Sequence, residues 1–173
     1  MINCPRCSAN LNINKNTLIN CSHCGSSFVL ERGVTQQSLI HLKQKFTIRN
    51  KSYQTIGQQV QTHDDGTRID WLITDKLGNK KLLMIDDENI ALVDAIPLPL
   101  DTNLNWNSLL PNTQCQLLDK SWLVTEKKAF NKVQRQTYLS NQNAELLILS
   151  FTPQQTLAQQ GKWLDIFEII NEN

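Results

Sequence analysis

Four cysteines stand as two close pairs, Cys4-Pro5-Arg6-Cys7 and Cys21-Ser22-His23-Cys24, with thirteen residues between the pairs. Two thiolates two residues apart fit one tight turn and converge on one point. A second such turn set opposite completes a tetrahedral four-sulfur site, the donor set that suits zinc. Gly25, directly after the second pair, suits a close turn in which backbone N–H groups approach sulfur. The spacing therefore predicts one structural zinc ion held by Cys4, Cys7, Cys21 and Cys24. Two disulfides suit the chain less well. Met1-Ile2-Asn3 does not resemble a secretory signal, which points to a reducing, cytoplasmic compartment. A redox-active pair would sit beside a βαβ pattern, and iron–sulfur ligation uses other spacings. Four protein thiolates leave no open position for a catalytic water. His23 is expected as a polar residue on its knuckle.

Other residues capable of chemistry are not placed for it. His41 falls in a junction, and His63 precedes Asp64-Asp65-Gly66, which reads as a solvated hairpin tip. Asp86-Asp87-Glu88 lacks the spacing of a calcium loop and reads as a charged hairpin end that keeps an edge soluble. Neither a glycine-rich phosphate loop nor a nucleophile elbow occurs. Cys115, far from the four, reads as a half-buried inert thiol. Lys127, Lys128, Lys132 and Arg135 form a basic patch without interleaved aromatics, so solvated strand faces are expected there. Trp106 lies in a long polar stretch from Pro97 to Pro111. With Leu104 and Leu109 it is expected either to dock on the β domain or to anchor a protein partner.

Charge is unevenly spread. Residues 1–50 hold six basic residues and one acid, a formal +5, whereas residues 51–173 hold eleven basic and fifteen acidic residues, a formal −4. Four zinc-bound thiolates lower the metallated head to about +3. That mild excess does not by itself call for nucleic acid. No run approaches the length of a membrane-spanning helix.

The elements that must position the cysteines are short. Strands are expected near Leu11–Ile13, Thr17–Asn20 and Ser27–Leu30, with Asn12–Asn16 as a turn and the metal as core. Residues 1–32 are read as the zinc ribbon, 33–44 as a linker or helical turn, and 45–173 as an antiparallel β domain. In that domain Ile69, Trp71 and Ile73 alternate onto one face, and turn residues punctuate a four-stranded meander that ends with a central, apolar Ile90–Ala95. A second β set follows from Gln116 to Ile170, with Gly161-Lys162 as a turn and Pro153–Gln160 as a possible helical turn. The fold expected is mainly β: a Cys4 ribbon, then a barrel or sandwich, with two similar β halves as an option. Trp71 and Trp122 are expected in the core.

The order of a CPxC pair, a spacer, CxxCG, Tyr53-Gln54-Thr55-Ile56-Gly57, a strand with Trp71-Leu72, a Gly78 turn and a later Trp122-Leu123-Val124-Thr125-Glu126-Lys127 carries a resemblance. It resembles bacterial proteins that join a zinc ribbon to a β-rich domain of unknown function, numbered four-one-seven-eight. Lys81-Leu82-Leu83 stands where those proteins usually have a second tryptophan after the glycine turn. The resemblance implies no reaction. It implies an accessory role near membrane stress and membrane remodelling. The function expected is therefore a non-enzymatic zinc-binding adaptor acting through protein–protein binding. The alternative is nucleic-acid binding through the basic ribbon, and an enzyme with an unrecognised site is the third reading.

Overall fold

The computed structural model describes residues 2–4, 6–11, 18–31, 34–63, 66–86, 89–99, 104–130 and 134–172. The strands in the N-terminal region are β1 (Ile2–Asn3), β2 (Asn10–Leu11), β3 (Leu18–Asn20), β4 (Ser27–Glu31) and β5 (Val34–Ile40). Then come β6 (Lys45–Ile48), β7 (Lys51–His63), β8 (Gly66–Asp75), β9 (Lys80–Asp86) and β10 (Asn89–Ile96). The remainder are β11 (Gln114–Leu117), β12 (Lys120–Ala129), β13 (Arg135–Ser140), β14 (Glu145–Phe151), β15 (Thr156–Leu164) and β16 (Ile169–Asn171). Short 3-10 turns occur at Trp106–Ser108 and Ile166–Glu168, and no α-helix occurs among the described residues. The protein is mainly β, as expected. β1 pairs with β2, β3 to β5 form a three-stranded sheet, and the other eleven strands belong to one antiparallel sheet. No helix among the described residues is long and apolar enough to cross a membrane.

By compactness the chain divides into two units. Unit one is residues 1–61, 67–90 and 164–173; unit two is residues 62–66 and 91–163. Within unit one the large-sheet strands run β16-β6-β7-β8-β9. Period-two alternation drives one face of β8 inside: Ile69, Trp71 and Ile73 are buried, opposite Ile85, Leu83 and Lys81 in register. Phe46 and Tyr53, paired across β6 and β7, are buried with ring centroids 6.2 Å apart. The hairpin joining β6 to β7 turns on Arg49 and Asn50, both at positive φ (48° and 65°), the conformation that matches strand twist.

Within unit two the order is β10-β15-β14-β13-β12-β11. Its core holds Leu109, Trp122, Val124, Leu139, Leu147, Leu149 and Ala158. Trp122 is buried, as alternation predicted, and its indole N–H donates to the Leu117 carbonyl at 2.9 Å. Cys115 is half-buried against this core, and burial raises its thiol pKa.

Several local expectations are corrected. The stretch 33–44, read as a linker or helical turn, contains β5, which pairs with β4 from Ser27↔Ile40 to Glu31↔Val34. Its Gly33, like the Asn12–Asn16 turn, lies outside the described residues. Pro153–Gln160 is not a helical turn, since β15 begins at Thr156. Gly161 is not in a turn either. It sits inside β15 opposite Leu146, and a Cβ there would stand 1.9 Å from the Leu92 carbonyl oxygen and 2.8 Å from Val93 Cα. The glycine answers to close backbone approach, not to a bend. Gly161→Ala should therefore lower stability by about 3 kcal/mol, at the upper end for overpacking, because the atoms met are backbone. Gly57→Ala, which meets only the Leu72 side chain, at 3.5 Å from Cβ and 3.8 Å from Cδ2, should stay within about 0.5 kcal/mol of wild type in the same denaturant titration.

Buried charge is the other departure. His63 is not a solvated tip: it is buried, with its ring edge-on to Phe130 at 5.4 Å. Asp86, expected on a charged hairpin end, is buried opposite Arg68; Asp87 and Glu88 lie outside the described residues. Arg68 donates to Asp70 Oδ2 at 2.8 Å, and Gln61 Nε2 donates to the same oxygen at 2.9 Å. Burial raises the Asp70 pKa against the pull of Arg68. Lys128, expected on a solvated face, is buried with its ammonium 3.4 Å from Glu126.

Candidate metal centre

Each cysteine pair is built by one tight loop, and the two loops share one hydrogen-bond plan. In the first, Cys4 N–H donates to the Ala9 carbonyl at 2.8 Å and Ser8 N–H donates to the Cys4 carbonyl at 2.9 Å. In the second, Cys21 N–H donates to the Ser26 carbonyl at 2.9 Å and Gly25 N–H donates to the Cys21 carbonyl at 2.8 Å. The residue after each pair takes positive φ, Ser8 at 59° and Gly25 at 68°. Glycine makes that conformation strain-free in the second knuckle; the first tolerates a serine.

The knuckles bring the four sulfur atoms within 4.8 Å of one another. Cys4 Sγ lies 3.7 Å from Cys24 Sγ, and Cys7 Sγ lies 3.7 Å from Cys21 Sγ, so the close pairs cross from knuckle to knuckle. Cys4 and Cys21 are buried with Leu11, while Cys7, Cys24 and Ala9 close around them. These residues are the ribbon's core, and none of the five cysteines is in a disulfide. His23 is exposed, outside the sulfur group.

The electrostatics suit a cation. Burial pushes the Cys21 thiol up to about 12, against the backbone N–H groups of Cys24 and His23. Burial also works to raise Cys24, but hydrogen bonds to the Ser26 side chain and backbone prevail, and its thiol falls to about 6. Four thiolates this close repel, and a bound cation is what allows all of them to ionise. The donor set fits a metal ion: four sulfurs, all from protein, at mutual distances one ion can span.

The centre is tied to the β-sheet of its own unit. Gln58, on β7, donates from Nε2 to the Gly25 carbonyl at 2.7 Å, and Arg6 donates to Ser26 Oγ at 3.2 Å. Thr55, on the same strand, donates its hydroxyl to the His41 carbonyl and accepts from Gln44 N–H at 3.0 Å. Gln58 carries no motif, and Thr55 enters only as part of the Tyr53–Gly57 segment, with no role assigned to it there. Burial lowers the His41 pKa, with the Arg6 charge adding to the effect.

The three residues singled out in the long loop lie in unit two. Leu109 is buried in the core and Leu104 packs against it. Trp106 is half-buried, and its indole N–H donates to the Gln136 carbonyl at 3.3 Å. Lys127 Nζ donates to the Trp106 carbonyl at 2.7 Å and stands 3.7 Å from the ring centroid, with Arg135 Cζ at 4.7 Å. The basic patch thus gains an aromatic from elsewhere in the chain, where sequence showed none interleaved. Trp106→Ala should cost about 1–2 kcal/mol in thermal or denaturant unfolding, below the cost of a fully buried tryptophan because its ring is only partly buried.

Fold and site together define a two-unit antiparallel β-protein with a four-cysteine centre in its first unit. No family model, curated protein or solved structure matches the chain.

Proposed function

We propose that Cys4, Cys7, Cys21 and Cys24 hold one structural zinc ion, and that the chain works as a non-enzymatic adaptor through protein–protein binding. The observation that carries this reading is the closed, all-cysteine centre built by two matching knuckles. A tetrahedral ion with bonds of about 2.3 Å to sulfur sets its sulfurs about 3.8 Å apart. The two cross-knuckle pairs at 3.7 Å agree with that edge. Four thiolates leave no position for a reacting water, so the ion's contribution is architectural. A reducing compartment, the cytoplasm, belongs to the same reading because the thiols must stay available to metal. A role near membrane stress or remodelling rests on the family resemblance alone.

Elemental analysis of reduced, freshly purified protein should give one zinc per chain, lost in Cys21→Ser. A pull-down from the native host should recover a protein partner with the full chain, and recovery of none would sink the adaptor reading. Binding of duplex or single-stranded DNA with a steep salt dependence would replace the adaptor reading with nucleic-acid binding, since phosphate contacts release counterions.

A further inference from the structure

We propose that Trp106, Lys127 and Arg135 form an oxyanion-recognition surface, and that its occupant is a carboxylate-rich segment of a protein partner. This rests on the adaptor reading and gives the partner its chemistry.

The surface is assembled from three segments of unit two. β12 and β13 pair with Lys127↔Thr137 and Ala129↔Arg135 in register. Period-two alternation then sets Lys127 and Arg135 on one face of neighbouring strands, offset by two positions. The 3-10 turn at Trp106–Ser108 brings its indole within cation–π distance of both. Lys127 is pinned by its hydrogen bond to the Trp106 carbonyl. Arg135 is exposed and stacks on the ring, and its guanidinium donates no hydrogen bond to the protein among the described residues. Its donors therefore face water while its position is held by the indole.

Four other cations close on carboxylates. Arg49 meets Glu168, Arg68 meets Asp70, Lys120 meets Glu145 and Lys128 meets Glu126. Lys127 and Arg135 instead share an aromatic ring. Burial lowers the Lys127 pKa and the Arg135 charge lowers it further. An anion between the two would relieve that repulsion, and a guanidinium fork beside an ammonium suits a carboxylate.

Carboxylate is favoured over a nucleic-acid strand for two reasons. The indole already carries two cations, so a stacking base must displace one. Unit two also lacks the broad basic field that gathers a polyanion: it holds six Lys and Arg against seven Asp and Glu, a formal −1. Its positive charge is focal.

The test is a titration of the isotope-labelled full-length chain with an acetylated, amidated tetraglutamate peptide, followed at the Trp106 indole N–H and Arg135 side-chain resonances. A saturable shift confined to these residues is expected. Arg135→Gln should weaken binding about tenfold or more, the scale of a lost charge-assisted hydrogen bond. Arg135→Lys, which keeps the charge over the ring, should recover part of it. Arg49→Gln should leave binding unchanged. Absence of a saturable shift, or one that Arg135→Gln leaves intact, overturns the proposal. Tighter binding of an eight-nucleotide oligothymidylate at the same resonances overturns the peptide in favour of single-stranded nucleic acid. A host partner whose capture ignores Arg135→Gln overturns this surface while the adaptor reading stands. Peptide binding as described, with no host partner recovered, upholds the surface and sinks the adaptor reading.

Discussion

Removing the proposed zinc ion should unfold the ribbon and loosen β7 where Gln58 reaches it. Cys4, Cys21 and Leu11 are the buried residues of the ribbon's own core, with Ala9, Cys7 and Cys24 around them. So small a core cannot offset chain entropy without metal. Apparent binding free energies for structural zinc in small domains are about 10–16 kcal/mol, and that energy is folding energy. A chelator should therefore abolish amide protection in residues 2–11 and 18–31. The effect should not stop there, because Gln58 donates to Gly25 and Thr55 holds the His41 segment inside the same unit. Amides near residues 55–58 should exchange faster, while the unit-two core around Trp122 and Leu147 keeps its protection. Gln58→Ala should reproduce the loosening of the Gly25 knuckle without releasing the ion. A chelated chain whose residues 2–31 remain protected would refute the coupling.

Trp71→Ala should be the most costly single substitution in unit one outside the cysteines, at about 3–5 kcal/mol. The ring is fully buried, stands opposite Leu83, and is flanked along β8 by buried Ile69 and Ile73. No collapse of a single side chain fills a void of that size. The indole N–H has no hydrogen-bond partner among the described residues. Trp71→Phe therefore removes an unsatisfied donor along with some volume, and should cost less than half as much. Denaturant titration checks both. A loss under about 1 kcal/mol for Trp71→Ala, the range of surface positions, would show that the two faces of β8 were assigned backwards.

Turns show where reading from residues stopped. The turn at Gly78 was legible from its glycine and asparagine; that Asp75 accepts from the N–H groups of Leu77 and Asn79 there is ordinary turn chemistry. The hairpins at Arg49-Asn50 and Leu118-Asp119 were not. All four residues sit at positive φ without a glycine, so strand pairing on either side holds them there. β5 was missed for a related reason. Val34–Ile40 reads Val-Thr-Gln-Gln-Ser-Leu-Ile, with little alternation, and its pairing with β4 carries register shifts.

The amino-acid sequence by itself determined the four-cysteine cluster and the strand-rich class. A CxxC knuckle is closed by hydrogen bonds across at most five residues, so its geometry is local. Alternation in β8 likewise fixes which side chains share a face. Only the tertiary structure decided what covers the second face. Alternation separates Arg68 and Asp70 from Ile69 and Trp71, yet it cannot tell solvent from protein on the polar side, and there Arg68, Asp70 and Asp86 are buried. The same holds for His63 and Lys128. Gly161 needs a neighbouring strand's backbone to explain it, and the cation pair on Trp106 needs a loop some twenty to thirty residues away in sequence. These are non-local pairings, set by how the chain closes on itself, and no window of residues contains both halves of them.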